Sequence, residues 1–260
     1  SFLMIMAVIV LAACSDNANS PQNEDTSSND DKETTTTNAD QLVVAIPADV
    51  TSLDPAITMD NTTWKIVYNV YQRLVDYDGA TTNITPGVAE KWEVSEDGLT
   101  WTFNLEDGHK FSDGTPVDAE AVKASFERSL EINAGPASVF TMVSEIQVVD
   151  PLTVKFVLSD PFPPFLSTLA ANYGNIVNPK ALEQEKDGDL GQNYLASATM
   201  GSGPYKLTEW KQGESLTLEV NEHSKVQPKL KKVIFRVIGD ASVQRMQLEK
   251  GEIDIAEGIP

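Results

Sequence analysis

Apolar and polar residues alternate in the middle of the chain, which is the pattern of a half-buried β-strand. Every second position from 99 to 105 is apolar: Leu99, Trp101, Phe103 and Leu105. A similar pattern begins at 92–94, and the Glu-Asp-Gly sequence at 96–98 is typical of the turn of a hairpin. The pattern therefore predicts two antiparallel strands joined at 96–98.

A helical period follows this hairpin. Val122, Phe126 and Leu130 are spaced four residues apart, so they fall on one face of a helix. Asp118 precedes them, and aspartate is a favoured residue at the N-cap. The hairpin and the helix together predict a sheet with a helix packed on one face.

The rest of the pattern alternates between strands and helices. Further strands are predicted at 42–47, 146–149, 152–158, 175–177, 205–211, 216–220, 233–238 and 253–256. Apolar residues alternate along 152–158 as they do along 99–105, and the strands 205–211 and 216–220 are predicted to form a hairpin. Further helices are predicted at 61–74, 166–171, 179–186 and 241–250, and Gly251 is expected to end the last one as a left-handed C-cap. This order predicts an α/β protein with a mixed sheet.

The chain begins with an apolar run that ends at its single cysteine. Residues 2–13 are all apolar, which is too short for a mature membrane-spanning helix and fits the core of a secretory signal. The sequence Leu11-Ala12-Ala13-Cys14 resembles a bacterial lipoprotein box, in which the thiol carries a lipid. We therefore expect residues 1–14 to be a signal peptide whose start is truncated, with Cys14 as the lipidation site.

A polar, acidic segment follows at 15–40. It lacks aromatic and large aliphatic residues, so it cannot bury enough apolar surface to offset the entropy of ordering. We expect it to be a disordered tether. Its seven acidic residues and one lysine contribute −6 of the net charge of −20, which leaves −14 for residues 41–260. So acidic a surface argues against nucleic acid as a partner.

The block 89–128 resembles the signature region of the family 5 extracellular solute-binding proteins, the oligopeptide, dipeptide and nickel receptors of ABC importers. The matching residues are Trp92, Asp97-Gly98, Trp101-Thr102-Phe103, Leu105, Phe111 and Asp113-Gly114-Thr115-Pro116. Glu106 departs from the pattern, since the family often has a basic residue there. The TSLDP sequence at 51–55 and the segments 201–222 and 230–260 also resemble the family, so the resemblance covers residues 41–260.

The resemblance implies a two-lobe fold of the type II periplasmic-binding-protein kind. It assigns residues 41–66 and 166–260 to the first lobe, with its mixed sheet, and residues 67–165 to a small subdomain inserted into that lobe. We expect the second lobe to lie beyond residue 260, so that only the first lobe and its subdomain are present here.

The function implied by the resemblance is capture of short peptides outside the cell, without catalysis or cofactor. The implied partners are a permease, its ATPase and, through the lipid, the cell membrane, with the receptor as a monomer. The receptor would lie in the periplasm if the organism has an outer membrane. The implied ligand-binding residues are Thr58, Met59, Asp60, Asn61, Tyr173, Gly174, Asn175, Gly201, Ser202 and Gly203. Two structural alternatives remain open: Asp60 as a helix N-cap, and the glycines as ordinary loop residues.

Other functions remain in view. The same receptor type could take a metal chelate, haem, a sugar or an opine. A direct metal site is not expected, because His109 and His223 are far apart in sequence and each is more typical of a surface residue. A hydrolase is not supported either, since the H-E-x-x-H, G-x-S-x-G and S-x-x-K motifs are all missing from the sequence. An adhesion or sensing lipoprotein would share the tether and the acidic surface.

Overall fold

A computed structural model describes residues 39–259, and the predicted signal peptide, Cys14 and all but the last two residues of the predicted tether lie outside them. The strands are β1 (Gln41–Ile46), β2 (Val75–Tyr77), β3 (Ile84–Pro86), β4 (Ala89–Val94), β5 (Thr100–Leu105), β6 (Val143–Asp150), β7 (Thr153–Leu158), β8 (Tyr205–Lys211), β9 (Ser215–Val220), β10 (Lys232–Val237) and β11 (Ile255–Ala256). The helices are α1 (Asn61–Val70), α2 (Ala119–Ile132), α3 (Phe165–Ala170), α4 (Gln192–Leu195) and α5 (Ala241–Lys250). None of these helices is long and apolar enough to cross a membrane.

The larger sheet is mixed, as the sequence predicts. Its five strands lie in the order β11-β1-β10-β9-β8. Strand β1 runs parallel to both of its neighbours, β10 and β11, whereas β10, β9 and β8 pair antiparallel. The predicted hairpin of 205–211 with 216–220 is confirmed as β8 and β9.

A second, antiparallel sheet contains the hairpin recognised first in the sequence. Its order is β4-β5-β7-β6, and β2 pairs with β3 in a separate two-stranded ribbon. Along β5 and β7, every second side chain is buried, which confirms the predicted alternation. Helix α2 packs on this sheet: Phe126 stacks edge to face with Phe156 of β7.

Each of the three longest helices begins with an aspartate N-cap. Asp60, Asp118 and Asp240 are the N-caps of α1, α2 and α5, and each accepts a hydrogen bond from a backbone N–H of the first turn. Helix α5 ends at Gly251, which adopts the left-handed conformation (φ 72°) that was expected for its C-cap.

Some predicted elements are shorter or different. Helix α1 ends at Val70 rather than residue 74, because the Val70 carbonyl accepts a hydrogen bond from Gly203 N (3.0 Å) and the chain becomes extended at Tyr71. The strand predicted at 175–177 is only an isolated bridge between Arg73 and Asn175. The segment predicted as a helix at 179–186 is a 3₁₀ helix, Pro179–Gln184.

Two main hydrophobic cores lie in the described part of the chain. One is built from residues between 74 and 176 and surrounds the four-stranded sheet. The other draws its residues from 44–71 and 177–235 and lies against the five-stranded sheet. The chain passes between the two cores near 71–74 and again near 176–177. The lobe boundaries expected from the family resemblance remain a prediction.

Candidate functional site

The loop that follows β1 is fixed by a buried salt bridge. Asp54 lies in this loop and is fully buried, and Arg128 of α2 is 4% exposed. The Arg128 guanidinium donates from Nη1 to Asp54 Oδ1 (3.0 Å) and from Nη2 to Oδ2 (2.6 Å), and its Nε donates to the Leu190 carbonyl (2.7 Å). Two parallel bonds of this kind fix orientation as well as distance. The pair therefore ties the loop to the helix of the other core.

Asp54 also shapes the loop locally. Its Oδ1 accepts a hydrogen bond from Ala56 N (2.9 Å), and its carbonyl accepts one from Thr58 N (3.1 Å). These bonds bring the chain round to the start of α1. The four predicted ligand-binding residues at 58–61 therefore have a defined position at the N-terminal end of this helix.

Within this group, Asp60 is a helix cap. Its Oδ1 accepts a hydrogen bond from Thr63 N (2.8 Å), and its Oδ2 accepts one from the Thr58 hydroxyl (3.1 Å). Burial tends to raise the pKa of Asp60, but the hydrogen bonds from Thr63 and Thr58 outweigh it and hold the pKa below its ordinary value. Both carboxylate oxygens thus have partners within the protein.

Aromatic and apolar side chains lie beside this cap, and we call Met59, Trp64, Tyr68 and Tyr173 the aromatic ledge. Trp64 and Tyr173 pack edge to face, with ring centroids 6.1 Å apart. The Trp64 indole N–H donates to the Thr58 carbonyl (3.3 Å). Met59 is 51% exposed and Tyr68 is 40% exposed. The ledge thus brings the 58–61 loop and Tyr173 together, although Tyr173 lies 112 positions after Asn61 in the sequence.

Packing constrains which residues can follow Tyr173. A Cβ atom on Gly174 would lie 2.0 Å from the Leu169 carbonyl oxygen. Asn175 is buried, donates from Nδ2 to the Asn172 carbonyl (2.6 Å) and accepts from Arg73 Nη1 (3.3 Å). Packing and hydrogen bonds therefore fix the backbone directly after Tyr173.

The Gly-Ser-Gly sequence at 201–203 lies at the other end of α1. A Cβ atom on Gly201 would lie 1.9 Å from the Val70 carbonyl oxygen, and one on Gly203 would lie 2.6 Å from that of Asn69. Ser202 is fully buried. Since a ten-residue helix is about 15 Å long, this sequence is well separated from the cap at Asp60. The structure gives these glycines a packing role, and their predicted ligand contact stays a prediction.

The basic side chains near the ledge have acidic partners. Lys65 of α1 pairs with Glu257, and Arg73 donates from Nε to Asp76 (2.7 Å). The Arg73 guanidinium also lies 3.9 Å from the centre of the Tyr68 ring. Within residues 39–259, no group of three or more histidine, cysteine, aspartate or glutamate side chains is placed to hold a metal ion.

The two histidines lie where the two cores meet. His109 is buried, which makes the surface position predicted for it wrong. Its Nδ1 is 3.2 Å from Gln72 Oε1, and its Nε2 is 3.2 Å from Glu106 Oε2. Burial lowers the pKa of His109; Lys225 lowers it further, while Glu106 acts in the opposite direction. His223 is exposed, and its ring would lie 3.4 Å from a Cβ atom on Gly114.

The pair that organises the site, Asp54 and Arg128, was not among the predicted site residues. The only sequence signal was the TSLDP motif around Asp54, and nothing in the sequence connects it with an arginine 74 positions later. The aromatic ledge also includes two side chains, Trp64 and Tyr68, that were predicted only as part of a helix.

The fold and the motifs together define a class of protein. The family model described as "Bacterial extracellular solute-binding proteins, family 5 Middle" matches residues 83–260, more than half of the chain. The chain belongs to this family. This match and the solved structures below confirm the predicted family and the predicted fold class. The chain corresponds to the first lobe of that two-lobe fold.

Particular relatives can then be named. The chain is 45% identical over 226 residues to the probable D,D-dipeptide-binding periplasmic protein DdpA of Escherichia coli K12, covering 85% of this chain and 44% of that protein. It is 33% identical over 228 residues to the glutathione-binding protein GsiB of Salmonella paratyphi A, covering 85% and 43%. The chain therefore spans less than half the length of these curated relatives.

Solved structures give the same result. The periplasmic binding protein DppA of Helicobacter pylori, in complex with the peptide STSA, matches 82% of this chain and 45% of its own, with a TM-score of 0.73 and 29% identity. NikZ of Campylobacter jejuni, in complex with Ni(L-His), matches 84% and 43%, with a TM-score of 0.74 and 28% identity.

Proposed function

We propose that this chain contributes the first-lobe half of the ligand site in a receptor that captures short peptides outside the cell. The receptor delivers them to the permease and ATPase of an ABC importer and catalyses no reaction itself. The similarity to a probable D,D-dipeptide-binding protein at 45% identity carries this proposal. A glutathione-binding relative and a peptide-bound solved structure support the same ligand class.

The aromatic ledge is our candidate for the ligand-contacting surface. Its side chains are apolar or aromatic and partly exposed, while Asp60 beside it is committed to the cap of α1. The nearby cations Lys65 and Arg73 are paired with Glu257 and Asp76. This half of the site therefore suits an apolar side chain or the backbone of a ligand better than its charged ends.

The peptide assignment has competitors among the other ligands of this receptor type, and a metal chelate is one of them. NikZ, which matches this chain at a TM-score of 0.74, is described in complex with Ni(L-His), so a small metal chelate is the second candidate ligand. The aromatic ledge could cover the imidazole ring of such a chelate. A peptide and a chelate differ in mass and in metal content, so the two ligands are readily distinguished.

The anchoring to the membrane through Cys14 is also proposed, on the sequence alone. The apolar run before Cys14 and the polar segment after it support lipidation. Metabolic labelling with a radioactive fatty acid in the native host tests this: the label should be incorporated in the natural protein and lost in Cys14→Ser. Equal labelling of both would contradict it.

Calorimetry on the complete product of the gene that encodes this chain tests the ligand site. We expect a dipeptide with uncharged side chains to bind, and Tyr173→Ala to weaken binding at least tenfold by removing one face of the ledge. Tyr77→Ala is the matched control, since Tyr77 is a partly exposed tyrosine that donates a hydrogen bond to the Ser167 carbonyl and is not part of the ledge. Equal affinity in the natural protein and Tyr173→Ala would exclude the ledge from the site.

A further inference from the structure

A polar groove lies on the five-stranded sheet, apart from the aromatic ledge. It runs between β8, an edge strand, and the segment that follows α4, and has a volume of about 480 Å³. Sites for small molecules typically have volumes of roughly 300–1,000 Å³. None of its lining residues belongs to the ledge or to the predicted ligand-binding set.

The walls of the groove are held in place by specific bonds. The segment after α4 is attached to the loop of the buried salt bridge, because Leu53 N donates to the Ala196 carbonyl (3.1 Å). It is attached to β8 through Thr199, whose hydroxyl accepts from Leu207 N (3.3 Å). The groove is thus bounded by two elements whose separation is fixed.

Its floor is also fixed, by Trp210 and by an irregularity in β8. The Trp210 indole N–H donates to Asp49 Oδ1 (3.2 Å), which holds the ring in one orientation. The register of β8 against β9 shifts between Leu207 and Glu209. Bulges of this kind redirect side chains and are often found at functional sites.

The groove is lined by neutral hydrogen-bonding groups and two aromatic rings. The rings belong to Trp210 and to Tyr194, which is 37% exposed. Among the described residues, the Tyr194 hydroxyl, the Ser197 hydroxyl and the Gln212 amide make no side-chain hydrogen bond, so they are available to a ligand. Glu209 is the one ionised side chain in the described lining, and Lys211 Nζ lies 3.4 Å from its carboxylate.

This chemistry selects the class of ligand. No cation lines the described groove and the chain carries a net charge of −20, so an anionic ligand such as a phosphate is disfavoured. A cationic ligand would have only Glu209, whose charge Lys211 already offsets. Hydroxyl, amide and carboxylate groups around aromatic faces suit a neutral molecule with many hydroxyls and an apolar C–H face. We propose that the groove binds a short, uncharged saccharide.

The test uses the 260-residue chain and three neutral disaccharides: cellobiose, maltose and N,N′-diacetylchitobiose. Nuclear magnetic resonance resolves the indole N–H signals of the four tryptophans, and Trp210→Phe assigns that of Trp210. We expect at least one disaccharide to shift the Trp210 signal saturably at millimolar concentration. Tyr194→Ala should weaken this binding at least tenfold while leaving the free energy of unfolding nearly unchanged, since Tyr194 is partly exposed.

Two controls make the outcome decisive. Tyr173→Ala removes a tyrosine from the aromatic ledge and should leave disaccharide binding unchanged, and a short peptide should not compete for the groove. The proposal is overturned if none of the three disaccharides shifts the Trp210 signal. It is also overturned if Tyr194→Ala binds as well as the natural chain, or if the peptide displaces the sugar.

Discussion

Arg128 holds Asp54 in a bidentate salt bridge that joins the loop after β1 to helix α2, although the loop packs in one hydrophobic core and the helix in the other. Asp54 is fully buried and Arg128 is 4% exposed. Removing one partner of such a pair leaves an uncompensated buried charge, which destabilises the folded protein. The intact pair contributes little to the free energy of folding when it is compared with well-packed apolar residues. The loop that presents Met59 and Asp60 therefore depends on a residue of α2.

The first prediction concerns this pair. Arg128→Met should lower the free energy of unfolding by roughly 3–5 kcal/mol, because the Asp54 carboxylate loses both of its guanidinium bonds. Urea unfolding followed by circular dichroism measures the change. Lys123→Met on the same helix is the control: its pair with Glu127 is partly exposed and 3.8 Å long, so its loss should cost less than about 0.5 kcal/mol. Equal losses in the two variants would contradict the account.

The second prediction separates the two roles considered for Asp60. Asp60→Ala should lower the free energy of unfolding by about 1 kcal/mol through loss of the cap, while Asp60→Asn, which keeps a capping oxygen, should change it little. If Asp60 is only a cap, Asp60→Asn should also keep the natural affinity for ligand. A large loss of affinity in a stable Asp60→Asn protein would instead give the carboxylate a direct ligand contact.

The third prediction tests the packing of the Gly-Ser-Gly sequence under α1. Gly201→Ala places a Cβ atom 1.9 Å from the Val70 carbonyl oxygen, so the backbone must move. We expect a loss of roughly 1–3 kcal/mol in the free energy of unfolding, or more. Gly239→Ala is the matched control, because its Cβ atom would lie 3.5 Å from the Pro47 carbonyl oxygen, an ordinary contact. A Gly201→Ala protein as stable as the control would refute this close approach.

The fourth prediction concerns pH. The pKa of His109 is lowered by burial, so the unfolded chain takes up its proton before the folded chain does. The stability that neutral His109 contributes is therefore fully present above the ordinary histidine pKa of about 6.5 and is lost as the pH falls below it towards the lower folded value. Urea unfolding at a series of pH values should show the free energy of unfolding falling as the pH drops below about 6.5.

Substitution of each histidine isolates the group responsible. His109→Gln should reduce the slope, while His223→Gln, at an exposed position of the same junction, should leave it in place. Titration of the His109 ring by nuclear magnetic resonance gives its pKa directly. A value at or above 6.5 would show that the Glu106 carboxylate dominates over burial.

The sequence allowed much of the fold to be predicted because its patterns are local. The alternation in β5 and β7 and the caps at Asp118 and Gly251 were all predicted within a few residues of their observed positions. Element ends were harder where distant residues decide them. Helix α1 stops at Val70 because Gly203, 133 positions later, bonds to its last carbonyl.

The candidate site was harder to predict from the sequence, because it too depends on contacts between residues that are distant in the chain. The sequence pointed to the loop at 58–61 and to Tyr173, but it could not show that Trp64 stacks against Tyr173 or that Asp60 uses both carboxylate oxygens within the protein. The position of His109 was predicted wrongly because its burial depends on contacts with Gln72 and with the elements around Lys225.

The most direct test of the proposed function is native mass spectrometry of the complete gene product with a mixed pool of short peptides. The account predicts retention of peptides within a narrow length range, and loss of that retention in Tyr173→Ala but not in Tyr77→Ala. A folded protein that retains no peptide, or that carries the mass of a metal chelate or a sugar in its place, would keep the family assignment and contradict peptide capture.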